Sequence, residues 1–260
     1  MRRRSSARDH EDMTSPNPAP AIEDAFGQVL ARCWAAGGRR GVAYQVTERD
    51  DGYIGVTDAA GYFAEPTDWS PAERWGCEQA LGRVLDIGCG AGRHAIPLQQ
   101  AGHEVVGLDT SSGAIEVARE RGVGAIEGSI ADIPATVGVF STILLGGNNL
   151  GLLGDPDQAK GILNRLAEIA TPQARLIGSG IDPYATDNPT HRAYHAWNRS
   201  RGRPAGLIRM RVRDGALATD WFDYSCYALD ELVEIVSGTR WTLHSVHQDG
   251  GSYCVRLDLR

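Results

Sequence analysis

The chain has 260 residues, 42% hydrophobic and 23% charged, with a formal net charge of −7, the balance of a globular protein with one core of ordinary size. An average field of that sign repels RNA and DNA, which argues against a general nucleic-acid binder. No stretch reaches the ~18–20 consecutive apolar residues of a membrane span, and the five scattered cysteines, without a C-x-x-C pair, point to free thiols in a reducing compartment, the cytoplasm.

Residues 1–20 are rich in Arg, Ser, Asp and Pro and lack apolar periodicity, so a disordered tail is expected. Asp9, Glu11 and Asp12 stand where a signal peptide needs its apolar core. From 21 to 36, Ile22, Phe26, Val29, Leu30, Cys33 and Trp34 recur at helical spacing and Gly37-Gly38 ends the run, which predicts a helix. Segment 42–64, broken at Asp51-Gly52, leads to Trp69 and to Ser70, which can cap a helix with Pro71 in its first position.

From Arg83 the pattern alternates. Strands are predicted at 84–87, 104–108, 124–127, 140–145 and 174–181, with helices at 93–100, 112–121 and 156–170. Such alternation means an α/β fold, a doubly wound parallel sheet with crossover helices on both faces. Farther on, Ile208, Met210 and Val212 alternate with Arg209, Arg211 and Arg213, and Asp214-Gly215 reads as a two-residue turn. That turn would set Arg209 opposite Asp220, Ile208 opposite Trp221 and Val212 opposite Leu217. A helix at 229–237 and a hairpin of 242–247 with 253–259 close the chain. The expected organisation is one domain over 21–260, with N-terminal cap elements at 21–80 forming a helical lid and a β-hairpin insertion at 182–228.

The most informative run is Asp86-Ile87-Gly88-Cys89-Gly90-Ala91-Gly92, at the carboxyl end of the first of these strands, where open α/β sheets bind ligands. Asp109 ends the second strand, 21 residues after Gly88, where a carboxylate can accept two hydrogen bonds from a ribose. The dinucleotide fingerprint needs glycine at 93, which is Arg93. Asp86 is also unwelcome beside a pyrophosphate and suits a ligand carrying an ammonium and a sulfonium. The charge logic favours S-adenosylmethionine.

The run from Val84 to Gly92 is similar to the first motif of the class I S-adenosylmethionine-dependent methyltransferases, and Val106-Gly107-Leu108-Asp109-Thr110-Ser111 resembles the second. The likeness covers residues 75–181 and, more loosely, the last hairpin. It implies a Rossmann-like, seven-stranded, mostly parallel sheet with an antiparallel last strand. It also implies that Gly88 and Gly90 line the methionine part of the cofactor, with Asp86, Cys89 and Gly92 of the same loop also binding it, that Asp109 holds the ribose, and that Thr110 neighbours the adenine. Gly128-Ser129-Ile130-Ala131-Asp132 resembles the third motif; an acid is common where Ser129 stands, so the adenine contact falls to Ser129 or the Ile130 backbone. Leu145-Gly146-Gly147-Asn148-Asn149 takes the place of the fourth, with Gly146 near the methionine end. No Asn-Pro-Pro-Tyr or Asp-Pro-Pro-Tyr signature is present, which speaks against a nucleobase or glutamine-amide acceptor.

The implied activity is methyl transfer to an oxygen, nitrogen or carbon of a small molecule, such as one of secondary metabolism, by a monomer or homodimer. RNA or protein methylation, nicotinamide-dependent oxidoreduction and non-catalytic cofactor binding are the alternatives. His191, Tyr194 and His195 are the candidates for a base; two exposed histidines on one helix face is the competing reading, and no third ligand completes a metal site. Tyr62 and Trp69 either fold over the cofactor as a lid or pack on the sheet edge. Asn148 and Asn149 either meet the substrate or make a loop turn. The arginines from 199 to 213 either read a carboxylate or phosphate or form a solvated face paired with Asp220 and Asp223. His94 is read as packing at a helix start.

Overall fold

The computed structural model describes residues 19–260, so the tail expected over 1–20 lies, save its last two positions, outside the described residues. The chain opens with β1 (Ala21–Ile22), α1 (Ala25–Ala35) and a hairpin of β2 (Tyr44–Arg49) and β3 (Ile54–Asp58), followed by α2 (Pro71–Glu78). The expected helix over 21–36 begins four residues late. Ala21 and Ile22 pair in parallel with a distant strand, and Asp24 caps α1 by accepting the Gly27 N–H at 2.8 Å. At α2, Ser70 accepts the Glu73 N–H with Pro71 in the first turn, as predicted.

The alternating region is β4 (Val84–Ile87), α3 (Ala95–Gln100), β5 (Val105–Asp109), α4 (Ser112–Glu120), β6 (Gly124–Glu127), β7 (Phe140–Leu145), α5 (Pro156–Glu168) and β8 (Ala170–Ile181). Then come α6 (Pro189–Ser200), β9 (Leu207–Asp214), β10 (Leu217–Ala218), β11 (Phe222–Ser225), α7 (Leu229–Ser237), β12 (Trp241–Asp249) and β13 (Ser252–Leu259). The main sheet has seven strands in the order β12-β13-β8-β7-β4-β5-β6. Strands β4 to β8 run parallel, and β13 lies antiparallel against β8. The order reverses around β4, so its carboxyl end is the switch point where a ligand crevice opens.

Both faces of this sheet are covered, as the four fully buried residues of β4 require. On one face, Leu85, Ile143, Leu145, Leu176 and Val255 pack against Leu163 and Leu166 of α5 and Leu232 and Val236 of α7. On the other, Val84, Val105, Leu144 and Ile177 pack against Ala72 of α2, Ala95 and Leu98 of α3, and Ile115 and Ala118 of α4.

The cap and the insertion are not separate embellishments. They join in a second, six-stranded sheet of order β1-β10-β9-β2-β3, with β11 also on β9. The N-terminal elements, expected as a helical lid, therefore hold a hairpin that pairs Val46–Arg49 with Met210–Arg213 of the insertion. The arginine hairpin also turns one residue later than expected. Asp214 pairs with Leu217 and Arg213 with Ala218, leaving Gly215 and Ala216 as the loop, with Gly215 at φ +57°. A further one-residue shift sets Arg209 opposite Asp223 and Ile208 opposite Tyr224, so Asp220 and Trp221 are not the partners. Arg32 holds the Asp214 carboxylate at 2.8 and 2.9 Å, which favours keeping Asp214 in the ladder.

Candidate functional site

At the end of β4 the chain turns through Gly88 (φ +68°), Gly90 (φ +51°) and Gly92 (φ +79°), the left-handed region that side chains resist. The three glycines face different neighbours. A Cβ on Gly88 would stand 2.5 Å from Asn149 Nδ2, and one on Gly92 would stand 2.8 Å from Val123, so Gly92 serves helix packing. A Cβ on Gly90 would meet only Tyr62, at 3.9 Å, leaving its face open. Cys89, expected around the ligand, turns away. Its thiol lies against Gly107, its N–H bonds the Leu108 carbonyl, and burial raises its pKa well above the ordinary thiol range.

Asp109 ends β5 across from this loop, its Oδ2 accepting the Gly90 N–H at 2.9 Å and its Oδ1 the Ser111 N–H at 3.0 Å. Burial raises its pKa, against the pull of those N–H groups. Each oxygen keeps a lone pair after these bonds. Thr110 stands exposed beside it, while Ser129 turns its hydroxyl to the Ala131 N–H at 3.1 Å and Ile130 leans on the core.

Asp86 is 0% exposed, and neither carboxylate oxygen has a hydrogen-bond partner. Burial pushes its pKa up to about 6, opposed by the charge of His94. Arg93 Nε is likewise buried without a partner. Unmatched buried groups cost roughly 1–3 kcal/mol each and call for an explanation. Glu73 of α2 reaches the same region, its Oε2 accepting from Arg93 at 2.8 Å and its Oε1 standing 2.6 Å from His94 Nε2.

After β7, Asn148 adopts φ +74°. Its N–H donates to Ser179 Oγ at 2.7 Å, its carbonyl accepts from Tyr224 at 2.6 Å, and its Oδ1 is buried without a partner. Asn149 Nδ2 donates to the carbonyls of Ile87 and Gly88 at 3.0 and 2.9 Å. Both residues thus tie the turn after β7 to the glycine loop and the insertion. Gly146 lies beneath the His94 ring, which would stand 2.8 Å from a Cβ there. Above, Tyr62 packs edge-on against Phe26 at 5.2 Å and donates to Gln45 Oε1 of β2, and the ring of Trp69 lies 5.0 Å from that of His94.

The structure sets His191, Tyr194 and His195 elsewhere, on α6. His195 lines a cleft of about 700 Å³ with Pro183, Tyr184, Asp187, Arg192 and Arg199. His191 packs edge-on against Tyr53 at 5.2 Å. The Tyr194 hydroxyl donates to Asp50 at 2.6 Å and accepts the Arg209 N–H at 3.2 Å, so it is committed to holding the second sheet. The pKa values of both histidines are lowered, by burial first and then by nearby cations: Arg49 for His191, and Arg199, His191 and Arg49 for His195. In the arginine hairpin, Arg211 and Arg213 pair with Glu48, and Arg203 and Arg209 with Asp223.

Three contributors carried no sequence signal strong enough to single them out: Asp24, Glu73 and Tyr224. Glu73 falls three residues after Ser70, where a capping box would turn it back on its own helix; it turns instead to Arg93 and His94.

Residues 84–173 match the model of a family described as a methyltransferase domain. Among solved structures, the chain resembles a SAM-dependent methyltransferase from Bacteroides fragilis in complex with S-adenosyl-L-homocysteine, with 21% identity over 92% of this chain and 96% of that one and a TM-score of 0.76. It also resembles the CcbJ methyltransferase of Streptomyces caelestis, with 17% identity over 75% and 92% and a TM-score of 0.56. The glycopeptide N-methyltransferase MtfA, complexed with S-adenosyl-L-methionine, matches with 14% identity over 76% and 96% and a TM-score of 0.52.

Proposed function

We propose that this chain, a class I S-adenosylmethionine-dependent methyltransferase by its domain match and its fold, methylates a small molecule held beneath its second sheet. The observation that carries the reading is the unpartnered Asp86 carboxylate under the glycine loop, with Asp109 bonded to that loop at Gly90.

The residues fit the cofactor. Asp86 would meet the ammonium of the methionine part, and Arg93 Nε is a buried donor available to its carboxylate. Asp109 has acceptor capacity left on both oxygens for the two ribose hydroxyls, and the open face of Gly90 leaves room for the ligand against the main chain. When bound, S-adenosylmethionine supplies a methyl group on a positively charged sulfur. The chain's own task is to align an acceptor with that methyl and to exclude water. Tyr62 and Trp69 suit the roof, since aromatic faces attract cations, and Asn148 Oδ1 would accept a hydrogen bond from an acceptor.

A small acceptor is favoured by two features. Tyr62 from the cap stands near the open face of Gly90 and Tyr224 from the insertion bonds the Asn148 carbonyl, which would narrow the approach for a macromolecule. Arg203, Arg209, Arg211 and Arg213 are also paired with acids, which weakens the case for a polyanion. In calorimetry the folded chain should bind S-adenosylhomocysteine, and no binding would overturn the reading. Tight, steeply salt-dependent binding of RNA would instead favour a nucleic-acid acceptor.

A further inference from the structure

The geometry points to His94 as the base that takes the proton of an O–H or N–H acceptor, with Glu73 as the residue that positions it. This rests on the methyl-transfer reading and deepens it by naming the acceptor class, a nucleophile that must lose a proton.

His94 is only 6% exposed, and its Nε2 stands 2.6 Å from Glu73 Oε1. Burial pushes Glu73 up, but the hydrogen bonds and charges of His94 and Arg93 outweigh it and hold its carboxyl below the usual range. An ionised carboxylate only accepts, so Nε2 carries the hydrogen and the neutral ring keeps its lone pair on Nδ1. Among the described residues Nδ1 makes no hydrogen bond. The ring lies flat over the turn after β7, its Cε1 and Nδ1 each 2.8 Å from where a Cβ would stand on Gly146. That turn and the glycine loop close neighbouring strands, β7 and β4, so the His94 ring lies between the cofactor loop it follows and the turn where an acceptor would approach. The Trp69 ring packs 5.0 Å from the His94 ring and helps to fix it.

Charge separates His94 from the other histidines near the insertion. A base becomes a cation as it works, and Glu73 would stabilise an imidazolium at His94. His195 has Arg199, His191 and Arg49 around it, which oppose the same change. In the step, an acceptor lone pair forms the new bond to the methyl carbon and the carbon–sulfur pair stays on sulfur, leaving S-adenosylhomocysteine. The acceptor proton passes to His94 Nδ1 and from there to water.

The test needs no knowledge of the acceptor. Sinefungin carries an amine-bearing carbon in place of the methyl-bearing sulfur, so its affinity relative to S-adenosylhomocysteine reports on groups beside the methyl position. The wild type at pH 8 should prefer sinefungin at least tenfold. His94→Phe, which keeps a ring against Trp69 and Gly146, should lose at least fivefold of that preference with the S-adenosylhomocysteine Kd within twofold; His94→Gln serves if that variant fails to fold. Glu73→Gln should lower the preference partly, and the histidine 15N spectrum should show the Nε2-protonated tautomer of His94 only while Glu73 is present. Parallel loss of both affinities, or an unchanged ratio, overturns the assignment. Failure of the wild type to bind either compound overturns methyl transfer itself.

Discussion

Asp24 Oδ2 lies 2.8 Å from Ser111 Oγ and 2.8 Å from the Gly113 N–H, while its Oδ1 accepts the Gly27 N–H at 2.8 Å. One carboxylate therefore caps α1 and the first turn of α4 together, fastening the N-terminal cap to the loop that begins at Asp109. Asp24→Ala should destabilise the chain by about 1–3 kcal/mol, the loss of two caps at once, read as a lower urea midpoint. It should also weaken S-adenosylhomocysteine binding, because Ser111 is shared with Asp109. Loss of stability with unchanged affinity would show that the clasp is structural alone.

Asp109→Ala should weaken S-adenosylhomocysteine binding by about 1–3 kcal/mol, the scale of charge-assisted hydrogen bonds left unmade. The same change frees the Gly90 and Ser111 N–H groups, so some of the loss reflects a looser loop. Asp109→Asn keeps one acceptor oxygen and should fall between the two. An unchanged dissociation constant in the alanine variant contradicts the ribose role.

The glycine loop and its acid were legible because they are contiguous and local: a short strand, three glycines at fixed spacing, and a carboxylate at the next strand end. The parallel core followed from the same alternation. What was not legible is the second sheet, in which Glu48 pairs with Arg211 across 163 positions; no local pattern encodes that register. Alternation revealed β9 as a strand but could not fix its turn, since shifting the loop by one residue from Asp214-Gly215 costs little until Arg32 claims Asp214. His94 was read as helix-start packing because its partner, Glu73, lies 21 positions earlier in a separate helix, and no local pattern joins the two.

Tyr194→Phe should lower stability by about 1–3 kcal/mol, since its hydroxyl donates to a carboxylate and links α6 to the turn between β2 and β3. Burial and Asp50 push its phenol up to about 12, so no phenolate is available to accept a proton at neutral pH. Binding of S-adenosylhomocysteine should be unchanged in a titration. A Kd raised tenfold without loss of stability would show that Tyr194 serves the cofactor site.

Asp86 couples ligand binding to pH. Its pKa lies at an ordinary 3.8 in the unfolded chain and at about 6 in the fold, raised chiefly by burial. The folded state therefore holds the proton longer, and its contribution to stability is fully present below pH 4 and is lost as pH rises through 6, by about 3 kcal/mol for that shift. In urea unfolding of the free chain, the stability difference between Asp86→Asn and wild type should grow across this window in favour of the variant and level off above it. Affinity should move the other way. The ammonium of the methionine part needs the ionised acid, so wild-type binding of S-adenosylhomocysteine should weaken below pH 6 and Asp86→Asn should bind poorly at every pH. A variant that gains stability yet keeps its affinity would show that the buried carboxylate does not serve the ligand, and an unpaired acid at 0% exposure would then have no function to explain it.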